Sequence, residues 1–139
     1  MGAWADLETA IGAVITGAGY TLAMSLDPAG WPSWAVGASG APEWVSMDLT
    51  PGAAPIDGSG GSVVRHALTL RLIGAHPWNR GASQRAVLDA ERTLRAALET
   101  STGIAASSAQ VMYETCETSP LGLGIAAEIR YTVLQGETY

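Results

Sequence analysis

The chain has no lysine and no phenylalanine, a single cysteine, two histidines and, before Arg65, no basic residue of any kind. Cys116 has no second cysteine to pair with inside the chain and cannot alone supply the three or four ligands of a zinc site, which excludes disulfide scaffolds and zinc modules. All seven basic residues are arginines, set against 13 acids for a net charge of -6. Asp6, Glu8, Asp27, Glu43, Asp48 and Asp57 precede Arg65, whereas the remainder carries seven acids and seven arginines, so the net charge resides in the first 64 residues. This distribution argues against binding of DNA, RNA or anionic lipid through a basic surface, which depends on clustered Lys and Arg neutralising phosphates. Long apolar runs are also missing. The longest uncharged stretch, Thr9 to Leu26, is 18 residues but is interrupted by Gly12, Gly17 and Gly19 and lacks a basic flank. Neither a membrane span nor a signal peptide is expected from it, and a cytosolic protein is the default.

What is present is 139 residues, 47% of them apolar, the makeup of one globular domain spanning 1–139. A domain of this size buries roughly 68–70% of the surface its unfolded chain exposes, so an ordinary core suffices without a staple. Trp4, Leu7, Ile11 and Val14 share one helical face, predicting a helix from Ala3 to Thr16 that Gly17 and Gly19 end. Between Pro28 and Pro42 the chain is rich in Gly, Pro and Trp, with Trp34 to Ala38 a candidate short strand. Val45, Met47 and Leu49 then alternate with Trp44, Ser46 and Asp48 as in a half-buried strand. Thr50 to Ser62 holds two prolines and four glycines in thirteen residues, a long loop expected to be mobile.

Beyond it, His66, Leu68, Leu70 and Leu72 alternate with Arg65, Ala67, Thr69 and Arg71, a strand with one apolar and one charged face. The sheet is therefore expected to be wet on one side or covered there by a partner. Ser83 is placed to cap a helix running to Thr100, with Val87, Ala90, Leu94, Ala97 and Leu98 inward and Arg85, Asp89, Arg92 and Glu99 outward; Gly103 closes it. Arg85 with Asp89, and Arg95 with Glu91 and Glu99, are expected as surface pairs contributing about 0.2–0.5 kcal/mol each. Two strands follow, Ala109 to Cys116 and Leu121 to Val133, joined by a turn at Ser119 and Pro120. The order α, β, β, loop, β, α, β, β predicts an α+β fold: one mixed, largely antiparallel sheet with two helices on one face.

Signatures of catalysis fail one by one. Gly122, Gly124 and Ala127 fit a dinucleotide-binding pattern but fall inside an alternating strand, where small residues serve close backbone packing instead. His66, on the leucine face, reads either as a hydrogen-bonded core histidine or as a general base; His76 reads as a loop residue. Glu114, Cys116 and Glu117 mix one soft and two hard ligands without an imidazole, a poor metal set. No cofactor is expected, and no enzyme. The five tryptophans are unusual beside the absence of Phe, and Trp31, Trp34, Trp44 and Trp78 fall in loops or at strand starts. They read either as a minor core cluster or as a subunit interface, where Trp and Arg dominate binding energy.

The short opening helix, the strand pair with its Gly-rich loop, HALTLRLIGA leading into SQRAVLDAERTLRAALE, and the closing hairpin ending AAEIRYTVLQGE together resemble the tail terminator proteins of long-tailed bacteriophages. The resemblance spans nearly the whole chain and is one of order and hydrophobicity, without a catalytic fingerprint. It implies a structural virion protein, assembled in the host cytoplasm, that forms a homo-oligomeric ring, typically a hexamer, on the head-proximal end of the tail tube. There it ends tube polymerisation and presents the surface for the head connector. The expected partners are the chain itself, the tail tube protein and the head-completion protein, with DNA only a passing cargo. Trp31, Trp34, Trp44, Met47, Ile56, Asp57, Arg71 and Trp78 are the expected subunit or tube contacts, and Asp48, Asp57, Glu114, Glu117 and Glu128 the expected lumen acids. A head-completion or neck protein, or a small ligand-binding α+β domain, are the alternatives.

Overall fold

The computed structural model describes residues 3–24, 42–50, 52, 62–74, 80–106, 109–121 and 124–137. Helix α1, Ala3–Gly17, buries Leu7, Ile11 and Ile15, which recur every four residues along one face. Ile15 takes the place in the core that the sequence pattern gives to Val14, which is only half-buried. The helix ends in a Schellman motif: Tyr20 N–H donates to the Ile15 carbonyl at 3.3 Å and Gly19 N–H to that of Thr16 at 3.1 Å. Gly19 carries the positive φ of 100° that this turn requires and a side chain would resist.

The reversal launches β1, Thr21–Met24, a strand beyond the glycines that the sequence pattern gives only as the end of the helix. The candidate strand Trp34 to Ala38 and most of the Gly-rich segment 50–62 lie outside the described residues. β2, Trp44–Thr50, pairs parallel to β1 and antiparallel to β3, Ser62–Gly74. Helix α2, Arg80–Glu99, begins three residues before the expected cap, so Ser83 is a buried first-turn residue rather than an N-cap. Past the other end of α2, Ser101 is the N-cap of a further helix: its Oγ accepts the Ile104 N–H at 3.1 Å and starts the short α3, Thr102–Ala106. Gly103 therefore lies inside α3 and does not close α2.

β4, Ala109–Leu121, and β5, Gly124–Glu137, form a hairpin whose last pair is Leu121 with Gly124. Ser119 and Pro120, expected in the turn, are strand residues opposite Ala126 and Ile125, and Leu121 belongs to β4. The odd-position alternation runs on through the hairpin end, so periodicity alone does not see the reversal; Pro120 is tolerated because β4 is an edge strand. A register shift between Tyr113 and Thr115 leaves Glu114 as a bulge.

The five strands form one mixed sheet in the order β1-β2-β3-β5-β4, with only the β1–β2 pair parallel. β5 is inserted between β3 and β4, the two strands that α2 and α3 connect. α1 packs on β1 and β2 while α2 packs on β3, β5 and β4, so both long helices cover the same face. The fold is the α+β arrangement that the element pattern predicts. Val45, Met47 and Leu49 of β2 stand opposite Leu72, Leu70 and Leu68 of β3, and with Ile129, Tyr131 and Val133 of β5 they make the core beneath the helices.

Candidate functional site

Period-two alternation sends every other residue of these strands to the sheet face away from the helices. One row across that face reads Ser46, Arg71, Glu128, Glu117 and the next reads Asp48, Thr69, Arg130, Thr115. Glu128 is the hub. Its carboxylate accepts from Arg130 Nε and Nη2 at 3.1 and 2.9 Å, and its second oxygen lies 3.7 Å from Arg71 Nε. The Glu128 hydrogen bond holds the Arg130 guanidinium above its ordinary pKa, with Glu117 and Glu114 adding to the field. Glu117 sits directly opposite Glu128, a like-charge pair that the two arginines offset. Beyond it, the Thr132 hydroxyl donates to the Glu114 carboxylate. The face carries partly exposed charges, with Arg71 and Arg130 gathered on Glu128 and Glu114 held by Thr132.

Of the expected lumen acids, Asp48, Glu117 and Glu128 share this face and Glu114 reaches it from the bulge; they are drawn from three different strands. Arg71 lies on it too, as does Trp44, half-buried and two residues before Ser46. Met47 does not. It is fully buried on the helix side opposite Leu70, because its parity along β2 is that of the core residues, and a subunit contact through it is ruled out. Trp31, Trp34, Ile56, Asp57 and Trp78 lie outside the described residues, as do His76 and Gly122.

His66 is buried on the leucine face and hydrogen-bonded, as the core reading of this histidine expects. Its Nδ1 accepts the Gly52 N–H at 3.1 Å, which places the ring proton on Nε2 to donate to Gln135 Oε1 at 3.0 Å. The ring thus ties Gly52 to β3 and β5. Position 52 must be glycine, since a Cβ there would overlap the Arg65 carbonyl. Gly124 and Ala127 lie within β5 and open no helix, so the dinucleotide pattern has no phosphate-binding turn around it. Cys116 points toward the helices and Glu117 away from them, so the two cannot ligate one ion. Among the described residues no group of three or more metal-ligating side chains converges.

Sequence reasoning paired Glu91 with Arg95, as the structure shows, but missed the polar cluster that the pair builds under α2. Glu91, expected on the surface, is buried, and Arg95 clamps its Oε1 from Nε at 2.7 Å and Nη2 at 2.6 Å. The Arg95 guanidinium in turn stacks 3.6 Å from the Tyr113 ring centre, and Tyr113 meets Tyr131 edge to face at 6.0 Å. The Tyr131 hydroxyl is buried without a hydrogen-bond partner, and burial pushes its pKa well above the ordinary tyrosine value. Burial likewise raises the half-buried Cys116 thiol, which is the reverse of what a reactive nucleophile needs. One signal was available: Glu91 shares the helical phase of Val87, Leu94 and Leu98. The cluster fastens α2 to the sheet. A groove of about 470 Å³ lies elsewhere, between the end of α2, α3 and the first half of β4.

No protein-family model matches the chain, and no curated protein matches it.

Proposed function

We propose that the protein is a structural component of a bacteriophage tail, a terminator that forms a ring on the head-proximal end of the tail tube and stops its growth. The observation that carries the reading is the two-sided character of the sheet: helices cover one face, and the other presents a charge cluster in which Arg71 and Arg130 pair with Glu128 while Asp48 and Glu117 leave it net acidic. A subunit of a closed ring needs two different contact surfaces, and a sheet with a helical side and, opposite it, a partly exposed charged patch offers them. The acids of that face also suit the neighbourhood of a DNA channel, because like charge weakens contact with phosphates. The role is mechanical, and no bond is made or broken.

The test is to add purified protein to polymerising tail tubes and image them by negative stain. A ring-shaped cap on one end, with tubes arrested at shorter length, is expected. Tubes that elongate as they do without the protein would refute the reading.

A further inference from the structure

The open edge of the sheet is not uniform. From Tyr113 onward β4 carries the devices that keep edge strands from pairing: the bulge at Glu114, a second carboxylate at Glu117 and Pro120. The first five residues, Ala109–Tyr113, carry none. They hold no charge, no proline and no bulge, and the described residues place no strand beyond them. Beside them lies the groove formed with Leu98 and Ile104, and Met112, exposed at 45%, is the one large apolar side chain left this open among the described residues.

We propose that this half-strand pairs with the same half-strand of a second copy, making a two-fold dimer with a sheet continuous across the seam. The sequence is self-complementary in that arrangement. Antiparallel pairing centred on Val111 sets Val111 against its own copy, Met112 against Gln110, and Tyr113 against the small Ala109. The same centring leaves Glu114 and Glu117 outside the five-residue overlap, so no carboxylate faces another. An isologous contact of this kind closes at two copies and does not propagate into fibres. It leaves the charged sheet face free and is independent of the ring reading: a protein that caps tubes but is monomeric alone would keep that reading and overturn this one.

The protein alone, without tubes, is the sample. Light scattering across a wide concentration range should show a monomer–dimer equilibrium, and Met112→Glu should weaken it about tenfold or more, equivalent to about 1.4 kcal/mol, with an unchanged circular dichroism spectrum. The register is checked with Gln110→Cys and Met112→Cys, each made on a Cys116→Ser background. Mixed under mild oxidation they should give a covalent dimer in higher yield than either alone. A wild-type protein that is monomeric throughout, a Met112→Glu protein that associates as wild type does, or a mixture that cross-links no better than its components would each overturn the proposal.

Discussion

The two faces of the sheet are built from alternate residues of the same strands, yet they divide the work of the protein between them. On the helix side, Leu68, Leu70, Leu72, Ile129 and Val133 are withdrawn from water. The polar groups admitted there are tied: His66 to Gln135 and Gly52, and Glu91 to Arg95. On the other side, Arg71, Glu128 and Arg130 remain partly exposed, and their attraction is screened by solvent. Most of the apolar burial therefore sits on the helix side, and the exposed charges around Glu128 on the other, where Ser46 and Ile73 are buried, are the part free to serve docking. The neighbours Leu70 and Arg71 show the contrast within one residue step.

The division is broken most forcefully at Leu70. Leu70→Ala opens a cavity in the core and should cost about 3 kcal/mol, read from urea unfolding. Next comes Arg95→Ala, which leaves Glu91 buried and unpaired. A fully buried pair would lose about 3–5 kcal/mol, but the Arg95 side chain is 35% exposed, so about 2 kcal/mol is expected. Tyr131→Phe should act in the opposite direction and stabilise by about 1 kcal/mol, since it removes a buried hydroxyl that has no partner.

Tyr131→Phe also sharpens the comparison through pH. Tyr131 and Cys116 both titrate higher in the folded protein than their ordinary values of 10.0 and 9.0, so their neutral forms are favoured by folding. Stability should be fully present below pH 9 and fall as pH rises past the unfolded values, with the part above pH 10 reduced in Tyr131→Phe to what Tyr20, also raised by burial, and Cys116 contribute. Smallest of all, Arg71→Ala on the uncovered face should cost less than about 1 kcal/mol. A loss there equal to that of Leu70→Ala would show the charged face to be structural.

Much of this division was legible in the sequence. Strict alternation in β3 and β5 assigned each residue to its face, and the phase of Val87, Ala90, Leu94 and Leu98 gave the inner side of α2. The misses have physical causes. Ser119 and Pro120 read as a turn, but an edge strand accommodates a proline, and the alternation runs on through the hairpin end. Gly103 read as a stop because Ser101, the actual cap, starts a helix too short to show periodicity. Met47 read as a contact although its own alternation placed it inside. Glu91 read as a surface ion-pair partner because a carboxylate on an apolar stripe is buried only when a partner such as Arg95 follows it inward, and spacing does not distinguish the two cases. Of the candidate site, the acids and Arg71 could be named one at a time. That Asp48, Arg71, Glu128 and Glu117 share one face follows from the strand order, which no local pattern encodes.

The most direct test of the division places a large charged side chain at Ala67, exposed on the uncovered face between Thr50 and Thr132. Ala67→Arg is assayed for thermal unfolding and for capping of tail tubes in parallel. A wild-type unfolding midpoint together with lost capping is what the account predicts. Capping at the wild-type level, or loss of the fold itself, would contradict it.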